Sequence, residues 1–166
     1  MAGFEPREGE IQLEIDPAGL AADAHLVFIG RIVSPWKNRE TCPKNMAEAR
    51  ERNAPAELIV ESAYRAGLAG LERVSHVAIL SWLGQAPRNL IVQKPRHAAQ
   101  AKGVFALRSP ARPNPVGLHV ARLMALDIDA GRLTLDGIDT LDGTPVIDIK
   151  PYYASTDAFP DAVTGK

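Results

Sequence analysis

Apolar residues recur along this chain in short runs, each closed by Gly, Pro, Asn or Asp. Residues 26–33 (LVFIGRIV) end at Ser34-Pro35, and Leu58-Ile59-Val60 forms a brief second run. Further runs lie at 74–83, 89–92, 103–107, 118–126, 132–138 and 146–149. Short runs with this punctuation predict strands joined by turns. Leu133, Leu135 and Gly137 alternate with polar neighbours, the period of a half-buried strand. Helix is predicted only at 46–53 (MAEARERN) and 66–72, both short. Residues 36–55 are polar and charged and read as an excursion from the sheet. Residues 1–24 read as a loose arm or an edge strand, because IQLEI alternates well enough for either, and 25–166 read as one domain. Repeated short strands imply a mainly β fold, a barrel or a sandwich.

Composition narrows the class. A chain of 166 residues with 46% hydrophobic and 23% charged residues is globular. At that length roughly 70% of the unfolded surface can be buried. The single cysteine, Cys42, excludes an internal disulfide framework and fits a reducing, cytoplasmic setting. No apolar run approaches the ~20 residues of a membrane span, and the acidic N-terminus lacks the apolar core of a secretory signal.

The net charge of -1 conceals a segregation. Residues 31–122 hold 15 Lys and Arg against 6 Asp and Glu, whereas the flanks hold 4 against 14. A chain divided in this way is expected to present an anion-facing side.

Much common chemistry is missing. No glycine-rich dinucleotide fingerprint or phosphate loop follows a strand, and no Gly-x-Ser-x-Gly elbow occurs. His25, His76, His97 and His119 are isolated, without the spacing of a zinc site, so no metal is expected.

What is present is a set of unusual segments: FIGRIVSPW (28–36), LAGLERVSHVAILSWL (68–83), GVFALRSPARPNPVGL (103–118) and GIDTLDGTPVIDIKPY (137–152). In the third, Ser109-Pro110, Arg112-Pro113 and Asn114-Pro115 stiffen a loop carrying two guanidinium groups. In this order the four segments resemble the TsaA-like family, which includes tRNA methyltransferases of the TrmO type. The resemblance runs from Leu26 to about Asp161.

The resemblance implies a small β-barrel that binds S-adenosylmethionine and works as a homodimer. The implied reaction methylates N6 of threonylcarbamoyl-adenosine beside the anticodon of a threonine tRNA. By motif, the implied cofactor contacts are Pro43, Lys44 and Asn45, then Leu83 and Gly84, Arg108, Leu118, and Asp136, Gly137, Ile138 and Asp139. Lys44-Asn45 stand where the family more often has Arg-Gln, which keeps the charge and loses the planar fork. Arg108 is suited to pair with the cofactor carboxylate. Asp136 or Asp139 is suited to the ribose hydroxyls or to the sulfonium charge, and Asp139 or Asp142 to the departing proton. Arg112, Asn114, Lys150 and Tyr152 are the implied substrate contacts. Lys37, Arg39, Arg88, Lys94, Arg96 and Arg112 are candidates for holding tRNA phosphates. Two other readings stay open, a methyltransferase of a small molecule or protein and a non-catalytic S-adenosylmethionine or RNA-binding module.

Overall fold

The computed structural model describes residues 5–20, 23–95 and 98–163. In chain order its strands are β1 (Ile11–Gln12), β2 (Gly30–Val33), β3 (Ala56–Val60), β4 (His76–Trp82), β5 (Leu90–Gln93), β6 (Lys102–Gly103), β7 (Val116–Asp127), β8 (Arg132–Leu135) and β9 (Pro145–Pro151). Two short α-helices accompany them, α1 (Met46–Glu51) and α2 (Ala154–Asp157). The chain forms two compact units. One comprises Phe28–Ser81 with the described residues from Leu118 onward; the other comprises Trp82–Gly117 with the described residues up to Val27.

The larger unit is a closed barrel in the order β2-β3-β8-β7-β4-β9. Closure leaves no open sheet edge, which a short-stranded sheet otherwise has to protect. Period-two alternation fills the interior. Ile32 of β2, Leu58 and Val60 of β3, Val77 and Ile79 of β4, Ala121 of β7, Leu133 and Leu135 of β8 and Val146 of β9 are all buried in one cluster. Two register shifts preserve that pattern. Leu80 faces Asp148 but Ser81 faces Val146, so one extra residue of β9 is accommodated and Val146 still points inward. A second shift, between Leu123 and Ala125, lets Leu123 and Leu126 both pack on the core. Gly131, at φ +69°, makes the β7–β8 turn in a conformation that favours glycine.

The smaller unit contains the sheet β1-β5-β6. IQLEI contributes an edge strand, with Ile11 opposite Val92 and Leu13 N–H donating to the Asn89 carbonyl at 2.7 Å.

Two expected elements differ. Residues 103–107 are not a strand: pairing with β5 stops at Gly103, and Val104–Ala106 turns as a 3-10 segment. The turn buries Val104 completely and leaves Phe105 81% exposed. Residues 66–72 are not one helix but parts of two 3-10 segments, Ser62–Leu68 and Leu71–Arg73. Gly70 separates them at φ +95°, outside helical space. The expected helix at 46–53 is present as α1, and it ends where Asn53 turns to φ 47°.

Candidate functional site

The barrel's antiparallel order brings six strand ends to one rim: β2, β4 and β8 finish there, and β3, β7 and β9 begin there. The polar excursion between β2 and β3 and the β8–β9 connection therefore meet at the same rim. Several bonds lock them together. Trp36 Nε1–H donates to the Ile138 carbonyl at 2.8 Å, and Ser34 Oγ–H to the Thr140 carbonyl at 3.1 Å. Asp142 N–H donates to the Trp36 carbonyl at 2.9 Å. Arg52, at the end of α1, lies 5.2 Å over the Trp36 ring.

Pro43, Lys44 and Asn45 lie at the start of α1. Asn45 is its N-cap, with Oδ1 accepting Glu48 N–H at 2.9 Å, and Glu48 Oε2 reaches back to Lys44 N–H at 2.9 Å. This reciprocal arrangement follows capping-box logic shifted by one residue. Pro43 is fully buried, whereas Lys44 and Asn45 are exposed. Gly137 sits under the same helix, and a Cβ there would come within 3.1 Å of the Ala49 carbonyl oxygen. Glycine lets the β8–β9 turn approach the α1 backbone.

The three carboxylates of that turn are held differently. Asp136 Oδ1 accepts Arg122 N–H at 2.9 Å. Asp142 accepts Ser34 N–H at 3.0 Å and the Lys37 ammonium at 2.7 Å, and these contacts, the Lys37 bond foremost, hold its carboxyl below the ordinary range. Asp139 Oδ1 lies 2.6 Å from Nδ1 of His119, whose Nε2 lies 2.8 Å from Ser81 Oγ. Ser81 and His119 occupy inward-facing positions of β4 and β7, where the apolar stack of Val77, Ile79 and Ala121 gives way to the rim. His119 was among the histidines that the sequence shows as isolated. Its partners are 38 and 20 residues away, and no spacing pattern joins them. The only local signal is a polar side chain at an inward position of a strand. Cys42 is buried beside this group. Burial pushes its thiol upward, Arg39 and Arg52 work against that, and Asp139 adds to it.

Leu118 immediately precedes His119 on β7 and faces outward, 48% exposed. Pro43, Lys44, Asn45, Leu118, Asp136, Gly137, Ile138, Asp139 and Asp142 thus gather at one rim. Lys150 and Tyr152 do not. They lie at the other end of β9, opposite Ala78 and beside His76, about 20 Å along the strand from Pro145. Lys150 pairs with Asp148 at 2.7 Å, and the Tyr152 ring meets His76 edge-on at 6.4 Å. That far rim also carries a cleft of about 660 Å³ lined by Ile29, Val60, Leu68, Leu71 and Val74 among others. Asp148, already paired with Lys150, is the one carboxylate among its described lining residues.

Leu83, Gly84, Arg108, Arg112 and Asn114 belong to the smaller unit. Its proline-rich loop is stapled from inside. Arg112 donates to the carbonyls of Ser109 at 2.8 Å and Val104 at 2.9 Å, and also to that of Leu107. Arg88 donates to the Pro113 carbonyl at 2.7 Å and lies over the Trp82 ring at 5.5 Å. Leu83 N–H donates to the Pro115 carbonyl at 2.8 Å. A Cβ at Gly84 would meet the Trp82 ring at 2.9 Å. Arg108 is exposed at the loop surface. Arg112 and Arg88 are thus engaged with backbone carbonyls and Lys37 with Asp142. Arg39 is exposed on the barrel unit, Lys94 N–H in the smaller unit donates to Glu10 at 3.0 Å, and Arg96 lies outside the described residues. Among the described residues no group of three or more His, Cys, Asp or Glu side chains is arranged to hold a metal ion, and no helix is long and apolar enough to cross a membrane.

A closed six-stranded barrel whose rim loops, rather than a glycine-rich crossover, carry the candidate residues defines a class apart from doubly wound nucleotide-binding folds. Residues 31–158 match the tRNA-methyltransferase O N-terminal domain family, and the chain belongs to it. A probable S-adenosyl-L-methionine-binding protein of Methanothermobacter thermautotrophicus is 41% identical over 132 residues, covering 79% of this chain and 91% of that protein. The tRNA (adenine(37)-N6)-methyltransferase of Escherichia coli is 36% identical over 140 residues, covering 81% of this chain and 60% of that enzyme. A crystal structure of TrmO superposes with a TM-score of 0.72 at 38% identity, covering 87% of this chain and 64% of that one. A TrmO structure from Pseudomonas aeruginosa superposes with a TM-score of 0.69 at 36% identity, covering 87% and 62%. The chain therefore spans somewhat under two thirds of the length of the methyltransferase relatives with solved structures.

Proposed function

We propose that this chain is an S-adenosylmethionine-dependent tRNA methyltransferase acting on N6 of the adenosine beside the anticodon. The observation that supports it most directly is the rim itself, where the barrel residues that the family resemblance assigns to the cofactor share one end of the barrel with the Asp139 carboxylate. The donor set suits that cofactor. Carboxylates at Asp136 and Asp139 complement ribose hydroxyls or a sulfonium, and the backbone at Gly137 and Ile138 can approach an adenine edge without a side chain intervening. Arg108, in the smaller unit, has the planar fork that suits a carboxylate.

When bound, S-adenosylmethionine supplies an electrophilic methyl group. The protein's part is to align the accepting nitrogen in line with it and to keep the site dry. Trp36, the buried Pro43 and the α1 cap hold the rim's shape. Asp139 is better placed than Asp142 to take the departing proton, because Lys37 and Ser34 already occupy Asp142.

The base beside the anticodon lies in a single-stranded loop, so a surface rim can reach it without opening a duplex. Of the cationic groups, Arg39 and Lys44 are exposed on the same unit as the rim and are suited to the flanking phosphates. The substrate is the threonylcarbamoyl form in a threonine-accepting tRNA, and the working form is a homodimer. The outward face of β7 carries exposed Leu118 and Met124, which a symmetric copy would cover.

The test is transfer of a labelled methyl group to tRNA from cells with and without the threonylcarbamoyl modification. Labelling confined to the modified pool is expected. Equal labelling of both pools would refute the substrate assignment, and labelling of a small metabolite or protein instead would refute the tRNA reading. Light scattering should return about twice 17.9 kDa, and a fully active monomer would refute the dimer.

A further inference from the structure

Two polar side chains end the barrel's apolar stack, and no motif marks either. Ser81 is fully buried and His119 is 3% exposed, yet every polar atom they bring inward is partnered in one continuous chain, Ser81 Oγ to Nε2 and Nδ1 to Asp139 Oδ1. The Asp139 side chain is 18% exposed against 4% for His119, so the carboxylate is the member of the chain that a substrate can reach.

The chemistry fixes the direction of the bonds. A charged carboxylate 2.6 Å from Nδ1 requires a proton on Nδ1, since two facing lone pairs would repel. In a neutral ring Nε2 is then an acceptor, and the Ser81 hydroxyl is its donor. Neither alternative carboxylate has such a partner: Asp136 meets a backbone N–H, and Asp142 meets Lys37 and Ser34.

We propose that His119, backed by Ser81, is a positioning residue that fixes Asp139 as the acceptor of the proton leaving the methylated nitrogen. This deepens the methyltransferase reading and rests on it. The accepting nitrogen gains a bond to the methyl carbon, and the electron pair of the broken carbon–sulfur bond stays on sulfur. The nitrogen's proton passes to the Asp139 carboxylate and leaves to solvent after the product departs. Serine, histidine and aspartate here run in the reverse sense to a nucleophilic triad, with the carboxylate outermost and the hydroxyl sealed in the core. Of the other ionisable groups, Cys42 in the excursion interacts with Asp139 and also with Arg39 and Arg52, and Asp136 and Asp142, the latter carrying Lys37, lie on the same connection as Asp139.

The proposal is tested on the full chain by three measurements. The first is single-turnover transfer to threonylcarbamoyl-tRNA across pH, the second S-adenosylmethionine affinity by calorimetry, and the third the nitrogen-15 spectrum of the imidazoles without cofactor. Asp139→Asn should slow transfer by about 100-fold or more. His119→Leu should slow it by about 10-fold or more and move the acid limb of the profile to higher pH, because a carboxylate deprived of a donor is more easily protonated. His119→Asn, which can still offer an N–H near the Nδ1 position, should recover most of the rate, and Ser81→Ala should lose a few-fold. Cofactor affinity should change far less than the transfer rate in every histidine and serine variant, which separates positioning from collapse of the site. The spectrum should show one buried imidazole protonated at Nδ1 and bare at Nε2, absent from His119→Asn.

An unmoved acid limb in His119→Leu, or a buried imidazole protonated at Nε2 alone, would overturn the proposal while leaving tRNA methylation intact. Failure of the wild-type protein to label the tRNA would overturn the reading and this proposal with it.

Discussion

Asp142 joins two loops through one carboxylate. Its Oδ2 lies 2.7 Å from Lys37 Nζ, and its Oδ1 takes the Ser34 backbone N–H at 3.0 Å. The strand end of β2 is thereby tied to the turn that leads into β9. Its carboxyl is held below its ordinary value, chiefly by the Lys37 bond and then by Ser34, so the stabilisation has a definite pH sign. It is present in full above the unfolded carboxylate value of about 4 and is lost as pH falls through the lowered one. Asp142→Asn should flatten the acid end of the stability–pH curve relative to wild type. Asp142→Ala should cost about 1–2 kcal/mol at neutral pH by urea unfolding, most of it from the orphaned Ser34 N–H. An unchanged acid limb in Asp142→Asn would contradict the assignment.

Arg112 should behave as a structural staple. Its guanidinium bonds three carbonyls of its own loop, which one ammonium cannot reproduce. Arg112→Ala should destabilise the protein by about 1–3 kcal/mol, with Arg112→Lys recovering only part. The log–log salt slope of tRNA binding should be unaltered in Arg112→Lys, whereas neutralising a phosphate-contacting Arg39 or Lys44 should lower it by nearly one unit. A lower slope in Arg112→Gln without loss of stability would reverse these roles.

Arg108 sits at the surface of the same loop, two residues before Pro110. Calorimetry should show Arg108→Ala weakening S-adenosylmethionine by about 1.5–3 kcal/mol, the range for loss of a charged hydrogen bond. Arg108→Lys should restore a fraction. Wild-type affinity in Arg108→Ala would remove it from the cofactor site.

Gly137 is limited by the α1 backbone rather than by its own dihedral. With a Cβ reaching to 3.1 Å from the Ala49 carbonyl oxygen, Gly137→Ala should cost about 1 kcal/mol and Gly137→Val about 2–3 kcal/mol in urea unfolding. Both should weaken cofactor binding, since the turn can only relax away from α1. Equal stability of wild type and Gly137→Val would show that α1 yields freely.

Cys42 is 5% exposed with its thiol pushed up by burial, so a disulfide reagent at neutral pH should label it far more slowly than a free thiol. Asp139 contributes to that elevation, and Asp139→Asn should speed labelling in the native protein. No change on this substitution would place Asp139 too far from the thiol to matter.

Strand content was legible because alternation and turn residues are local. Leu133 and Leu135 announce β8, and Ser34-Pro35 marks the end of β2. The two misread segments failed where one residue overrides a run. Gly70 breaks a helical stretch, and residues 104–106 leave the β5 pairing for a 3-10 turn. The family resemblance supplied candidate residues, but roles depend on what each side chain meets. Arg112 meets its own carbonyls, Asp142 meets Lys37, and Lys150 and Tyr152 run to the far rim.

By itself the sequence determined a mainly β chain with a polar excursion after the first barrel strand, a stiffened Arg-Pro loop, and a β8–β9 connection rich in carboxylates. Those properties follow from residue order over a few positions, where propensity and periodicity act. Only the tertiary structure decided which carboxylate has a buried partner. Ser81, His119 and Asp139 become neighbours because antiparallel closure brings the end of β4, the start of β7 and the turn after β8 to one rim. Contacts between residues 20 and 38 positions apart arise from strand order and register, which no local pattern encodes.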